Sequence, residues 1–468
     1  MHATAPQILG ACLHIGLALV VSAHIVLTKS DVRAAIGWTG LVWLAPFIGS
    51  ALYVSFGVNR IRRRAGRIRG RQPDARSTPP PTPVPGDPPL RSLATLVGSL
   101  TKAPLVPGNA FDPLVNGDEG YPAMLEAIDR AQRTVAMATY IFDRGQVADR
   151  FVDALGRAVA RGVEVRVLID GVGARYSRPP IARQLRARGV PVAEFLKSLV
   201  PVSHPYVNLR NHRKLLVVDG AVGFCGGLNI RDGCMLALAT PEPTQDIHFR
   251  IRGPVVAQLL GALAFDWTFT TGEQLGPGWF PRLEPVGEVY ARGIRDGPDE
   301  DFETFLMTLL GALSQATRTI RIVTPYFLPD SPLVDALRVA TLRGVRVEIL
   351  LPERGNLRLV QWAMMAKLAR VASGCQIYLS RPPFDHSKLL VVDGAWSLIG
   401  SANWDPRSLR LNFEYVVEAY SAPLAARLNA IIDQKLASAR PLSLDEIERR
   451  NLATKLRDGV AWLAQPYL

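Results

Sequence analysis

Cysteine is scarce in this chain: four residues (Cys12, Cys225, Cys234, Cys375) among 468, with no CxxC pair. That scarcity argues against a disulfide framework and a cysteine-based zinc site, and suits a body facing a reducing compartment. Carboxylates are outnumbered too, 41 against 54 Lys plus Arg, for a net charge of +13. Such an excess calls for an anionic partner: nucleic acid, phospholipid headgroups or the cytoplasmic face of a membrane. No cluster of carboxylates offers a metal site. No surface interleaving aromatic and basic residues speaks for single-stranded nucleic acid.

Apolar residues, by contrast, dominate the N-terminus. Ile8 to Leu27 and Ala35 to Gly57 are two nearly unbroken apolar runs, each about the roughly 20 residues that span a bilayer. No Lys or Arg precedes the first run and a second follows at once, which weakens a signal-peptide reading. Residues 1–58 are therefore expected to form two transmembrane helices, with His14 and His24 as interfacial or helix-contact residues. The sequence RIRRRAGRIRGR follows at 60–71, whereas the connecting loop TKSDVR holds two basic residues. This asymmetry places both the N-terminus and the main body in the cytoplasm. The arginine cluster also suits anionic lipid. Residues 59–104 then read as this basic segment plus a proline-rich tether, with no helical or strand period over 72–98.

Beyond the tether the chain repeats itself. AQRTVAMATYIF (131–142), VDAL (152–155) and RGVEVRVLID (161–170) return as ATRTIRIVTPYF (316–327), VDAL (334–337) and RGVRVEILLP (343–352). Each set reads as strand, helix, strand, which implies parallel pairing in an α/β layer. With 468 residues there is room for two cores. The expected body is two similar α/β domains, 105–285 and 286–440, packed as a pseudo-dimer. Residues 441–468 form a C-terminal amphipathic docking segment.

Each half ends on nearly the same segment: HRKLLVVDGAVGFCGGLN at 212–229 and HSKLLVVDGAWSLIGSAN at 386–403. Residues two apart on a strand share a face, so His212 pairs with Lys214 and His386 with Lys388. Asp219-Gly220 and Asp393-Gly394 are hairpin turns, and the returning strand brings Asn229 or Asn403 back toward the His and Lys. One such segment would be an ordinary solvated strand edge. Two copies holding the same 17-residue step from His to Asn point to chemistry. Asp219 and Asp393 belong to the motif as turn or salt-bridge residues.

His386, Lys388, Asp393, Gly400, Ser401 and Asn403, with His212, Lys214, Asp219, Gly226, Gly227 and Asn229, resemble the paired HKD motifs of the phospholipase D superfamily. The N-terminal runs, RNHRKLLVVDG, GGLNI, TPYFLPD, GSANWDPRSLRLNFE and AWLAQPYL extend the resemblance over the whole chain, to bacterial cardiolipin synthases. The resemblance implies two phospholipase D-like domains, each a mixed sheet flanked by helices, sharing one active site without metal or cofactor. It implies that His212 attacks phosphorus to give a phosphohistidine while His386 serves as general acid and base. Lys214, Lys388, Asn229, Asn403 and Ser401 would hold phosphate oxygens, and Asp246 and Glu414 would orient the histidines. Glu414 follows the family pattern well. Asp246 is preceded by Thr244 and Gln245 where relatives have Trp-Arg, and 231–245 departs from the pattern.

The implied activity is phosphatidyl transfer between two phosphatidylglycerol molecules, giving cardiolipin and glycerol, by a multi-pass protein of the bacterial inner membrane. The implied partners are phospholipids and possible second copies of the chain, not nucleic acid. The rival readings are a hydrolytic phospholipase D, a transferase using another alcohol or donor, a membrane-tethered nuclease and an inactive lipid-binding scaffold. Tyr140 and Tyr326 line either pocket or core, Arg210 is either a second phosphate contact or surface charge, and His204 and His248 read as structural.

Overall fold

A computed structural model describes residues 5–29, 32–57, 88–197, 209–298 and 303–465. The chain divides into two compact units, an N-terminal helical one and the main body.

In the N-terminal unit, helix α1 (Ala5–Thr28) is followed by α2 (Val32–Leu44) and α3 (Pro46–Leu52). Ala18, Val21, Ile25, Val42 and Tyr53 form its small core, and His24 Nδ1 lies 2.8 Å from the Tyr53 hydroxyl. The second apolar run, expected as one span from Ala35 to Gly57, is broken at Ala45 (φ −144°, ψ 74°). Pro46 has no amide hydrogen to continue the α2 ladder and instead starts a new helix. Among the described residues, no helix is long and apolar enough to cross a membrane. The unit nonetheless exposes many large apolar side chains, including Val20, Val26, Leu27, Ile36, Leu44 and Ile48.

The arginine cluster at 60–71 and most of the proline-rich tether lie outside the described residues. The tether's last part, expected to lack regular structure, is a helix, α4 (Pro88–Thr101). Its prolines occupy the first turn, where a missing N–H costs nothing. Leu93 and Val97, one turn apart, are buried with Phe305, Leu309 and Ala312. The helical period was present but hidden by its proline-rich flank.

The described residues of the body form eighteen strands, sixteen in one sheet and two in a separate pair. The first half supplies β1 (Val106–Val115), β2 (Thr134–Thr139), β3 (Glu164–Asp170), β4 (Val192–Phe195), β5 (Arg210–Asn211), β6 (Leu215–Val218), β7 (Val222–Gly226), β8 (Thr244–Gln245) and β9 (Ile247–Arg252). The second half supplies β10 (Val289–Asp296), β11 (Thr319–Val323), β12 (Arg346–Pro352), β13 (Gln376–Ser380), β14 (Phe384–Asp385), β15 (Leu389–Val392), β16 (Trp396–Gly400), β17 (Asn412–Tyr420) and β18 (Arg440–Leu442). The order β4-β3-β2-β6-β7-β9-β1 is mirrored by β13-β12-β11-β15-β16-β17-β10, and antiparallel β1 and β10 join the halves. Within each half the helix-connected pairs β2–β3 and β11–β12 are parallel, whereas the hairpins β6–β7 and β15–β16 are antiparallel. The sheet is therefore mixed, as expected of the two α/β domains. Each half has its own core, one around Val135, Val167 and Leu216, the other around Ile320, Ile349 and Leu390.

Two short pairings cross between halves: β5 runs parallel to β17, and β8 parallel to β14. They are small, but they carry the site. Beyond β18 the chain ends in helix α5 (Leu452–Leu463), whose Leu452, Leu456, Val460 and Leu463 are exposed along one face.

Candidate active site

Each repeated segment enters the site along an extended stretch whose residues alternate between two environments. Asn211 Nδ2 and Arg213 Nη1 both donate to Asp266, at 2.8 and 2.6 Å, on one side. His212 and Lys214 face the other way. In the second half, Ser387 donates to Asp385, which is paired with Lys435 at 2.7 Å, while His386 and Lys388 face the site. The odd residues anchor and the even residues react, the outcome of a period of two.

The apolar LLVV runs behind each motif are fully buried, and each ends in a turn whose Asp and Gly both have positive φ (Asp219 51°, Gly220 63°, Asp393 53°, Gly394 64°). Asp219 accepts the backbone N–H groups of Gln132, Arg133 and Thr134. Asp393 accepts those of Thr317, Arg318 and Thr319. These aspartates tie each hairpin to the neighbouring strand at the end opposite the histidines. The structure thus removes Asp219 and Asp393 from the reacting groups, because their lone pairs are committed to backbone donors five residues from the lysines.

The carboxylates beside the histidines are exchanged between halves. His212 N–H donates to Phe413 O (2.9 Å) and His386 N–H to Gln245 O (2.7 Å). These bonds seat each histidine against the other half's acidic residue. Both oxygens of Glu414 lie near His212 Nδ1, at 2.9 and 3.1 Å, and Asp246 Oδ2 lies 2.7 Å from His386 Nδ1. An ionised carboxylate only accepts, so each Nδ1 carries the hydrogen and each Nε2 presents its lone pair.

The two carboxylates are braced differently. Glu414 also accepts from Ser401 Oγ (2.5 Å), Ser408 Oγ (2.8 Å) and Asn412 Nδ2 (3.1 Å). Ser401 is therefore not a phosphate donor, as the resemblance implied: its hydroxyl is spent on Glu414, and its oxygen accepts from the Tyr415 N–H. At the matching position stands Gly227, where an added Cβ would collide with the Asp246 carboxylate. The difference between GGLN and GSAN thus encodes two ways of seating one acid. Asp246 is fixed further by reciprocal backbone and side-chain bonds with Asn116.

Lys214 and Lys388 are buried, and each Nζ donates to the carbonyl of its own histidine. The ring of Tyr140 sits 5.1 Å from His212 and under Lys214 Nζ at 5.4 Å; Tyr326 and Phe384 flank His386 at 6.3 and 6.0 Å. Asn229 Oδ1 accepts from the Ile141 N–H, whereas Asn403 Oδ1 is buried with no hydrogen-bond partner among the described residues.

The electrostatics follow from this burial. Burial first, and then the lysines, push His212 and His386 down from 6.5 to about 4. Burial also lowers Lys214 to about 7 and lowers Lys388. Glu414 and Asp246 would be raised by burial alone. The charge and hydrogen bond of His212 and the charge of Lys214 hold Glu414 below its ordinary value; Lys388 and His386 do so for Asp246. The site thus sets two carboxylates held below their ordinary range against two histidines and two lysines whose cationic forms burial disfavours. An entering phosphodiester anion favours every cation there. Each lysine's field reaches the histidine of the other half, so His212, Lys214, His386, Lys388, Asp246 and Glu414 form one site. Among the described residues no group of His, Cys, Asp or Glu could hold a metal ion.

Sequence reasoning missed Ser408 and Asn412. Asn412 lies two residues before Glu414 on β17, hence on the same face, and that spacing was the available signal.

The family model for the cardiolipin synthase, phospholipase D-like domain matches the chain twice, over 124–259 and 309–436. A cardiolipin synthase of Geobacillus thermodenitrificans is 30% identical over 99% of this chain and 93% of its own length. Cardiolipin synthase A of Pseudomonas putida (strain GB-1) is 31% identical over 97% and 96%. Among solved structures, the phosphatidylserine synthase of Haemophilus influenzae Rd KW20 superposes with a TM-score of 0.60, at 15% identity, over 80% of this chain and 100% of that one. This last likeness speaks for the fold.

Proposed function

The chain belongs to the cardiolipin synthase family of the phospholipase D superfamily, and from that premise we propose that it transfers a phosphatidyl group from one phosphatidylglycerol to a second, giving cardiolipin and glycerol. It is a phosphatidyltransferase whose two halves each supply one histidine and one lysine. His212 Nε2 attacks phosphorus; the P–N bond forms, the bond to the glycerol oxygen breaks, and His386 delivers a proton to that oxygen. The hydroxyl of the second phosphatidylglycerol then attacks, giving its proton to His386, and the P–N electron pair returns to His212. Lys214, Lys388, Asn229 and Asn403 serve the non-bridging oxygens, where negative charge accumulates.

The observation that carries this reading is the pair of crossed contacts, Glu414 to His212 and Asp246 to His386. They leave two imidazoles with presented Nε2 atoms in a site with two buried lysines. A histidine depressed to about 4 holds no proton on Nε2 near neutral pH, but the bound phosphodiester anion raises it toward the range where it carries one to deliver.

The hairpin α1–α3 supports a membrane location. Its exposed apolar side chains have no reason to face water, and in this reading they face lipid, with the hairpin embedded in the inner membrane and the body cytoplasmic. Confinement to that surface concentrates the lipid acceptor over water as an effective-concentration effect.

The test gives the full-length protein labelled phosphatidylglycerol in mixed micelles and identifies products by mass spectrometry. Cardiolipin and glycerol in equal amounts are expected. Phosphatidic acid alone would make it a hydrolytic phospholipase D, and absence of lipid turnover would overturn the assignment. Membrane fractions washed with alkaline carbonate should retain the full chain and release a chain lacking residues 1–57.

A further inference from the structure

The two halves of the site match position for position, and they differ most where each motif begins. Two residues before His386 stands Phe384, whose ring packs against Tyr326 (6.1 Å) and His386 (6.0 Å). Two residues before His212 stands Arg210. Since Asn211 and Arg213 are both committed to Asp266 on the opposite side, Arg210 shares the face of His212 and Lys214.

A second mismatch falls at the same end of the site. Four residues after Asn403 comes Arg407, but four after Asn229 comes Gly233. Arg407 lies on the short helix Pro406–Arg410 beside Ser408, which braces Glu414 and hence His212. Arg210 itself pairs in register with Asn412, two residues from Glu414. Burial and then Asp170 push the Tyr140 hydroxyl up, and the fields of Arg210 and Arg407 both oppose this, at a ring that packs on His212. One end of the site thus gathers two guanidiniums, while the other is aromatic.

We propose that Arg210 and Arg407 form a second anion subsite, beside the lysine-lined phosphate site, that takes the phosphate of the acceptor phospholipid. This rests on the transferase reading above and deepens it. The product carries two phosphates joined through one glycerol, so a site that makes it must hold two anions close together. The lysines and asparagines account for one. Burial and then Arg210 work against the charge on Arg407, while Asp405, Tyr140 and Asp170 support it. A phosphate there would add to that support and takes the planar, two-pronged donor geometry of guanidinium well. Water and simple alcohols offer no such anion, so the subsite selects the lipid acceptor for attack on the phosphohistidine. In that step the acceptor oxygen forms the new P–O bond, its proton passes to His386, and the P–N bond to His212 breaks.

Arg210→Gln and Arg407→Gln, with Arg→Lys at both positions, separate this role from donor binding. The full-length variants receive phosphatidylglycerol in mixed micelles with ethanol present, and glycerol, cardiolipin, phosphatidic acid and phosphatidylethanol are quantified. Loss of a charge-assisted contact predicts a roughly tenfold or greater fall in cardiolipin formed per glycerol released. Phosphatidic acid and phosphatidylethanol should rise in proportion, and the lysine variants should fall between. An unchanged ratio overturns the subsite. So does a loss of glycerol release in step with cardiolipin, which would assign the arginines to the donor phosphate. If the wild type yields phosphatidic acid but no cardiolipin, the transferase reading itself fails before any variant is measured. Urea-unfolding midpoints, matched to wild type, keep a folding defect from imitating the result.

Discussion

Glu414, on strand β17 of the second half, holds the Nδ1–H of His212 in the first half, 202 positions away in sequence. The same exchange in the opposite sense joins Asp246 to His386. Orientation of each histidine is therefore a property of the assembled body.

Replacing these carboxylates by amides tests their role. Glu414→Gln and Asp246→Asn keep shape but can present N–H to Nδ1, favouring the wrong tautomer. Each variant should lower kcat by about 10²–10⁴-fold with little change in KM. Retention of activity within a factor of a few would show that the carboxylates only pack.

The two histidines differ in what they leave behind. His212→Ala and His386→Ala should both abolish cardiolipin formation. Only His386→Ala should still form an acid-labile, alkali-stable phosphatidyl adduct, from a substrate whose leaving group needs no proton. An adduct on His212→Ala, detected by mass spectrometry of the quenched protein, would reverse the assigned order.

Gly227 marks a steric limit. A Cβ there meets the carboxylate of Asp246, so Gly227→Ala should displace Asp246 from His386 and cut turnover roughly tenfold or more, at the scale of a lost orienting partner. Ser401→Ala removes one brace from Glu414 but leaves Ser408 and Asn412, and its loss should be smaller. Equal effects of the two substitutions would contradict this asymmetry.

Acid should destabilise the protein through its buried histidines. His212, His248 and His386 are each held down to about 4, first by burial. Unfolded, each binds a proton near pH 6.5, whereas the native form waits until about 4. Their contribution is thus complete above 6.5 and is lost as pH falls toward 4. Asp405, pushed up to about 6, and Asp170, also raised, act in the opposite sense, so a difference measurement is needed. Among the described residues, both ring nitrogens of His248 are buried without a hydrogen-bond partner. His248→Gln should reduce proton uptake on unfolding at pH 5 by about one, measured from the pH dependence of the urea midpoint. An unchanged uptake would place its folded-state pKa at the ordinary value.

Where the two halves join, Arg292 and Glu418 are buried partners 2.6 Å apart, and Arg292 Nη2 also donates to Ala94 O on α4. Arg292→Leu strands the Glu418 charge, leaving it Trp396 Nε1 and the Tyr420 hydroxyl as donors among the described residues. The expected loss is about 3–5 kcal/mol in urea unfolding, as for a buried pair deprived of one member. Arg292→Leu combined with Glu418→Leu should recover part of it.

Much of this architecture is legible in the repeat. The strand–helix–strand units, the two Asp-Gly hairpins and the shared face of His and Lys all follow from period and turn chemistry. The exchange of Glu414 and Asp246 does not follow, because it is set by how two halves dock, and each acid lies in sequence nearer the histidine it does not serve. Ser401 was readable as a hydroxyl near phosphate, but its direction is decided by Glu414, which lies beyond any local pattern. Helix α4 was masked by prolines that in fact occupy its first turn. The break in the second apolar run was legible in Pro46, which cannot continue the α2 ladder, but a reading by apolar content alone passes over it.

The crossed carboxylates have one more consequence. Each histidine is completed only when the opposite half is docked, so the chemistry itself reports assembly. A chain severed between the helix Val256–Thr271 and β10 would yield two fragments, each with an unoriented histidine, and activity would return only upon their reunion. A nascent first half emerging from the ribosome is likewise inert toward phosphodiesters until β17 has folded against it.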